Sequence, residues 1–199
     1  MSGAAGGLES APDGDRDSVA TSDTEVGYVA PSAPGATKTE RYVTLRGYVH
    51  ALTDGEPDWL ANLANAAAAI FDHVPNLNWA GFYLMKDGEL VLGPFQGRPA
   101  CVRIKVGRGV CGAAVVERRT QVVPDVREFP GHIACDARSR SEIVVPIVSG
   151  GEVVGVLDLD SAQPANFDIE DRRALETIVR DLVSRVDWRA AIHFQRLGT

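Results

Sequence analysis

Apolar residues near the start of the ordered part of the chain recur at three- and four-residue intervals, the period of an amphipathic helix. A first such series begins at about Glu40 and consists of Tyr42, Leu45, Val49 and Leu52. Residues 54–57 (DGEP) interrupt it, and Asp58 is a suitable N-cap for a second helix. That helix has its apolar residues on one side, namely Leu60, Leu63, Ala67, Ile70 and Phe71. The pattern therefore predicts two successive helices.

The middle of the chain changes to short apolar runs separated by turn residues, which is typical of strands. Residues 78–85 and 89–93 flank an Asp-Gly turn, and residues 142–148 and 152–159 flank Ser-Gly-Gly, so each pair predicts a hairpin. Short strands are expected at 101–104 and 121–123, a short helix at 110–118, a long polar loop at 125–140 and a last helix from Asp168. This order predicts an α+β fold with an antiparallel sheet of about six strands.

Composition narrows the choice of partners. The 199 residues include 27 acidic and 20 basic ones, a net charge of −7 with no basic run, which argues against nucleic acid and anionic membrane surfaces. No apolar run is long enough to span a membrane, and no secretion signal is apparent, so we expect a cytoplasmic protein. Residues 1–37 are acidic and poor in large apolar side chains and predict a disordered tail, which leaves 38–199 as one domain.

Two acidic residues interrupt the apolar pattern of the last predicted strand. Asp158 and Asp160 share one face of that strand with Val154 and Val156, because side chains alternate along a strand. Glu142 begins the partner strand and should lie near Asp158. Either the strand has reached solvent by Asp158, or these carboxylates line a pocket that takes an ammonium group or supplies a proton.

Trp79 and Tyr83 share a strand face with Gly81 between them. Such a pair commonly belongs to a core, and the alternative is an aromatic wall against an apolar or sulfur-containing ligand.

The three cysteines, Cys101, Cys111 and Cys135, fall within 35 residues of the sequence. Cys111 lies within the glycine-rich segment 107–112, which is a weak nucleotide signal, and a place in the first turn of a helix would lower its thiol pKa. Cys135 lies in the predicted loop beside His132 and Asp136, which suggests a reactive role.

Together with His132 the cysteines could form a zinc site, but the paired short spacings of such sites are missing, so we expect no metal. The histidines at 50, 73 and 193 are expected at the surface.

Six segments resemble, in the same order, the free methionine-(R)-sulfoxide reductases, enzymes built on a single GAF domain. They are NWAGFY at 78–83, LGPFQG at 92–97, ACVRI at 100–104, GRGVCG at 107–112, GHIACD at 131–136 and GVLDLDS at 155–161. The resemblance implies a GAF-like sheet with helices packed on one face and an active-site loop region on the other.

The resemblance also implies an activity, the thioredoxin-dependent reduction of free L-methionine-(R)-S-oxide without a cofactor. It assigns Cys135 as the nucleophile, Cys101 as the resolving thiol and Cys111 as an auxiliary thiol. It further implies that carboxylates hold the amino acid while aromatic rings surround its sulfur; these residues are Glu142, Asp158, Asp160, Trp79 and Tyr83.

Two other interpretations stay open at this point. A non-catalytic GAF sensor could bind a small molecule and use its cysteines as redox reporters, and a structural module could hold zinc. The sequence also leaves a homodimer open.

Overall fold

The structure is a computed structural model that describes residues 26–133 and 135–193. Its centre is a six-stranded antiparallel sheet in the order β3-β2-β1-β6-β5-β4. The strands are β1 (Leu77–Lys86), β2 (Glu89–Gly97), β3 (Arg103–Lys105), β4 (Gln121–Val123), β5 (Ser141–Ser149) and β6 (Glu152–Ser161). The two predicted hairpins are β1–β2 and β5–β6, and the sheet brings β1 and β6 together at its centre. The predicted α+β fold and strand number are confirmed.

Five helices accompany the sheet in the described part of the chain. They are α1 (Lys38–Leu52), α2 (Trp59–His73), α3 (Gly109–Glu117), α4 (Ile169–Val183) and α5 (Trp188–His193). Three of them begin at side chains that accept hydrogen bonds from otherwise unpaired backbone N–H groups: Thr37, Asp58 and Asp168. Thr37 and Asp168 each form a reciprocal capping box, so local sequence fixes where α1 and α4 start.

The two faces of the sheet carry different layers. One face packs against α1, α2, α4 and α5 in the larger apolar core, which contains Phe82, Leu157 and Leu159. The opposite face packs against α3 and the loop after β4, in a smaller cluster that contains Trp79 and Val156. The predicted layout is therefore confirmed, with α3 as an added helix on the loop face.

Strand boundaries differ from prediction where the backbone bulges. β2 continues to Gly97 instead of ending at Gly93. Pro94 has no N–H to donate, and the strand tolerates it because the register against β1 shifts between Gly81 and Tyr83. A second irregularity between β5 and β6 moves Val154 into the helix-side core, whereas Val156 faces α3. The expectation that both valines share the face of Asp158 was wrong for Val154. α5 was not predicted.

Most of the predicted acidic tail lies outside the described residues, as do 194–199 of the predicted domain. Residues 26–37 form no helix or strand, and the hydroxyl of Tyr28 donates a hydrogen bond to Asp72 at 2.8 Å. Among the described helices, none combines the length and the apolarity that crossing a membrane requires.

His73, expected at the surface, is buried instead. It lies in the last turn of α2, where its Nδ1 is 2.9 Å from the carbonyl oxygen of Ala69 and its ring contacts Tyr48. The helix pattern alone did not show this, because burial of this turn depends on packing against α1.

Candidate active site

The carboxylates of β5 and β6 meet on the α3 side of the sheet. Glu142 is the cross-strand partner of Asp160, and Asp158 lies opposite Val144, two pairs further along. Glu142 and Asp158 are each 6% exposed, whereas Asp160 is partly buried. The carboxylates therefore line a pocket, and the alternative that the strand has reached solvent by Asp158 was wrong.

Burial disfavours the charged forms of these three acids. It raises the pKa of Asp158 to about 7, and hydrogen bonds from its neighbours limit that rise. Burial, together with the charge of Asp158, raises the pKa of Glu142 and the pKa of Asp160 well above their usual range. The group therefore retains protons near neutral pH, which makes it a source of hydrogen-bond donors and of protons.

Trp79 and Tyr83 form an aromatic wall of the same cavity and are also part of its apolar cluster. Their rings stack with centroids 5.9 Å apart, and Phe95 stacks on the other side of Trp79 at 5.4 Å. Gly81 makes this arrangement possible, since a Cβ there would lie 2.7 Å from the Trp79 ring and 2.4 Å from the Phe95 Cβ. Both interpretations of the aromatic pair therefore hold, because Trp79 and Tyr83 belong to an apolar cluster and also line the cavity.

Cys101 and Cys135 are joined by a disulfide with Cα atoms 5.7 Å apart. Cys135 lines the cavity from the exposed loop, and Cys101 packs against the apolar cluster that contains Trp79 and Tyr83. The bond uses two of the four ligands of the zinc site considered from sequence, so that ligand set is not available in this state. Two of the three cysteine sulfurs are thus bonded to each other beside an acidic cavity.

The loop that carries Cys135 is tied to the sheet by side-chain hydrogen bonds. Asn78 donates to Ser139 at 3.0 Å and to Asp136 at 3.4 Å, and Asp136 pairs with Arg138 at 2.6 Å. Hydrogen bonds from Arg138 lower the pKa of Asp136 well below its usual range. Asp136 is therefore an anchor of the loop, and its ionised form is the one that the anchor needs.

Cys111 lies in the first turn of α3, as predicted, but its environment differs from the expected one. The residue is 3% exposed, and its Sγ is 4.0 Å from Oε1 of Glu142. Burial, and then the charges of Asp158 and Glu142, raise the pKa of the Cys111 thiol well above its usual value. The prediction of a lowered pKa was wrong, because desolvation and nearby acids outweigh the helix dipole.

The glycine-rich segment before α3 makes a tight turn, which accounts for its glycines without a nucleotide. Gly107 and Gly109 have φ angles of +79° and +61°, values that favour glycine. A Cβ at Gly112 would lie 2.7 Å from the carbonyl oxygen of Lys105. These positions let α3 pack closely on β3 and bring Cys111 under the cavity.

Sequence reasoning did not single out the cationic residues at the rim. Arg98 and Arg108 are exposed and line the cavity. His132 also lines it, with Nδ1 3.8 Å from Oε2 of Glu142, and burial lowers the pKa of its imidazole. The sequence feature that could have identified these arginines is their position next to Pro99 and Gly109, in the two segments that flank β3.

The enclosed part of the cavity has a volume of about 40 Å³. Since a water molecule needs about 10–15 Å³, the cavity has room for a few waters or a small ion. Acidic groups lie at its base, aromatic rings form one wall, and Cys135 and the arginines border its mouth. This polarity suits a small zwitterion that carries an apolar thioether-like end.

Comparison with known proteins agrees with this geometry. Residues 60–187 match the GAF domain family. The chain is 52% identical over 145 residues to the free methionine-R-sulfoxide reductase of Escherichia coli, an alignment that covers 73% of this chain and 88% of the relative.

Solved structures give the same result. The free methionine-R-sulfoxide reductase of Neisseria meningitidis in complex with its substrate superimposes with a TM-score of 0.77 and 43% identity, covering 83% of this chain and 99% of that one. The reduced form of the Staphylococcus aureus fRMsr gives a TM-score of 0.72 and 47% identity, covering 77% and 98%. The chain therefore belongs to the GAF-domain family of free methionine-R-sulfoxide reductases and is an oxidoreductase.

Proposed function

We propose that this protein reduces free L-methionine-(R)-S-oxide to L-methionine, with Cys135 as the nucleophile and Cys101 as the resolving thiol. The observation that carries the proposal is the Cys101–Cys135 bond at the edge of a cavity lined by Glu142, Asp158 and aromatic rings. A disulfide at this place is the product that such a reaction leaves behind.

Substrate recognition follows from the polarity of the cavity. The ammonium group of the free amino acid pairs with the buried carboxylates, led by Asp158, whose Oδ1 has no hydrogen-bond partner. Arg98 and Arg108 face the substrate carboxylate at the rim. The sulfur and its methyl group then pack against Trp79 and Tyr83, which is a favourable sulfur–aromatic contact. This pose directs the sulfoxide oxygen to the protonated carboxyl groups.

The first step transfers oxygen from substrate to enzyme. The Cys135 thiolate attacks the sulfoxide sulfur, the oxygen takes a proton from a carboxyl group with a raised pKa, and methionine leaves as the Cys135 sulfenic acid forms. Either Glu142 or Asp160 can supply this proton, since each keeps it near neutral pH. The two electrons that reduce the substrate come from the Cys135 sulfur.

The second step restores the thiols. The Cys101 thiol condenses with the sulfenic acid, which releases water and forms the disulfide. A dithiol reductant of the thioredoxin class then reduces that disulfide by exchange, as expected in a reducing cytoplasm. Cys111 remains free in this structure and acts at most as an auxiliary thiol. No cofactor takes part in this scheme. The scheme is also compatible with a homodimer, because all the site residues come from one chain.

Single-turnover assays test the roles of the cysteines. Reduced enzyme without an external reductant should form one methionine per chain. Cys101→Ser should keep that single turnover but lose steady-state activity, and Cys135→Ser should lose both. The matched control, Cys111→Ser, should keep single turnover. Methionine formation by Cys135→Ser would overturn the assignment of the nucleophile, and no turnover by the wild-type protein would instead favour a redox sensor.

A further inference from the structure

A thiol and two carboxylates come together at the base of the cavity. Among the described residues, one ligand atom from each of Cys111, Glu142 and Asp158 lies within 4.8 Å of the other two. The three side chains are 3%, 6% and 6% exposed, and they belong to α3, β5 and β6. Packed elements therefore hold them, rather than mobile surface segments.

A second observation points to a ligand at this cluster. Oδ1 of Asp158 is buried and has no hydrogen-bond partner, although Asp158 lines a cavity with room for a small ion. A buried carboxylate oxygen without a partner is costly, and a bound cation removes that cost. The substrate ammonium meets this need only while substrate is bound.

The ligand types select the class of cation. Thiolate favours zinc-like ions, whereas Mg²⁺ and Ca²⁺ prefer oxygen ligands alone and more of them. Tetrahedral zinc, with Zn–S and Zn–O bonds of about 2.3 and 2.1 Å, separates its sulfur and oxygen ligands by about 3.6 Å. The Cys111 Sγ to Glu142 Oε1 distance is 4.0 Å, and all three ligand atoms lie within 4.8 Å of one another, so the side chains must move closer together to bind the metal. Water, or His132 beside the other Glu142 oxygen, completes four ligands.

We propose that Cys111, Glu142 and Asp158 form an inhibitory binding site for Zn²⁺ in this protein. Binding releases to solvent the thiol proton of Cys111 and the protons that Glu142 and Asp158 retain near neutral pH, without any change of oxidation state. Because Cys111 is outside the Cys101–Cys135 disulfide, the site is present in oxidised as well as reduced protein. The metal occupies the carboxylates that the substrate ammonium needs, and this inhibitory consequence rests on the proposed function.

Cobalt provides a readout that does not depend on activity. In the disulfide form of the full chain, Cys111 is the remaining thiol, so a sulfur-to-cobalt charge-transfer band on addition of Co²⁺ reports its coordination. We expect one Co²⁺ per chain, displaced by Zn²⁺. Cys111→Ser should lose the band, and Asp158→Asn should keep a band but bind at least about 10-fold more weakly. Glu128→Gln changes an exposed carboxylate that does not line the cavity, and it should match the wild type.

The outcomes separate the metal site from the reductase activity. No charge-transfer band in wild-type protein, or unchanged affinity in Asp158→Asn, would overturn the metal site and leave the proposed function untouched. If Cys111→Ser unfolds, the cobalt affinity of Asp158→Asn and the wild-type spectrum still test the metal site. When cobalt binds, Zn²⁺ should raise the apparent KM for methionine sulfoxide without changing kcat. Cobalt binding with no inhibition would support the metal site and contradict the proposed ammonium site.

Discussion

The hydroxyl of Tyr83 donates a 3.0 Å hydrogen bond to the backbone carbonyl oxygen of Cys101. A residue of the central strand β1 thus anchors the backbone of Cys101, although the two positions are 18 residues apart. Tyr83 therefore connects the aromatic wall of the cavity with the Cys101–Cys135 disulfide.

Replacing Tyr83 by phenylalanine tests this connection. We expect Tyr83→Phe to slow disulfide formation about fivefold or more, because the Cys101 segment loses an anchor, while methionine formation in the first turnover changes less than about twofold. Thiol titration and methionine quantification in rapid-quench experiments measure the two steps. Tyr28→Phe removes a comparable hydroxyl, 2.8 Å from Asp72, and should change neither. Equal slowing of both steps would contradict the assigned role.

The buried carboxylate of Asp158 should make stability depend on pH. Its pKa is about 7 in the folded protein, so between about pH 4 and 7 the folded state keeps a proton that the unfolded chain gives up. The free energy of unfolding therefore falls as pH rises through this range. Asp158→Asn should be more stable than wild type at pH 8, on the order of 1–3 kcal/mol, and show no gain near pH 4.

Urea unfolding of the disulfide form, in buffer with a metal chelator, measures this difference. Glu128→Gln serves as the control and should follow the wild-type pH dependence. A stability difference between Asp158→Asn and wild type that is the same at both pH values would show that Asp158 ionises normally.

The unpartnered Asp158 oxygen predicts selectivity for a free amino group. N-acetyl-methionine-(R)-sulfoxide cannot supply an ammonium, so its kcat/KM should be lower than that of the free amino acid by at least about 100-fold. In Asp158→Asn this ratio should shrink at least about 10-fold. The methyl ester keeps the ammonium and serves as the control, because its penalty should be the same in both proteins. Equal kcat/KM for free and acetylated substrates would refute the ammonium site.

Gly81 should be intolerant of any side chain. A methyl group there would lie 2.4 Å from the Phe95 Cβ and 2.7 Å from the Trp79 ring, so Gly81→Ala should lower the free energy of unfolding by about 1–3 kcal/mol. Gly47→Ala is the matched control in the exposed interior of α1, where no atom lies within 4 Å. It should stabilise by about 0.5–1 kcal/mol. Chemical denaturation of both variants measures these changes. A free energy of unfolding that is unchanged in Gly81→Ala would contradict the close packing.

Strand alternation predicted that Asp158 and Asp160 share one face of their strand, whereas their place in a pocket and not in solvent depends on packing across that face. Asp158 and Asp160 reach the cavity because the last residues of β6 keep a regular two-residue period, and the tight hairpin brings Glu142 opposite them. The β1–β2 and β5–β6 hairpins were likewise predicted from their glycine-containing turns. These features depend on local chain geometry, which the sequence expresses directly.

Other features depend on distant packing and were not predictable from local patterns. The high pKa of Cys111 arises from burial and from acids on two other elements. The path of β2 through Pro94 depends on a bulge against β1, and the burial of His73 depends on α1. A helix start or a proline alone does not reveal such surroundings.

The Cys101–Cys135 bond spans 34 positions and encloses β3, α3 and β4 in one covalent ring. In the chain-entropy account, a ring of this size removes about 4 kcal/mol of conformational freedom from the denatured ensemble. Under the proposed mechanism, the disulfide form that awaits its electron donor should therefore be the more protease-resistant one, which limited proteolysis of both redox states can measure. Under oxidant exposure, when donors are scarce, the spent catalyst would outlast its active counterpart and be ready for recycling once reducing power returns.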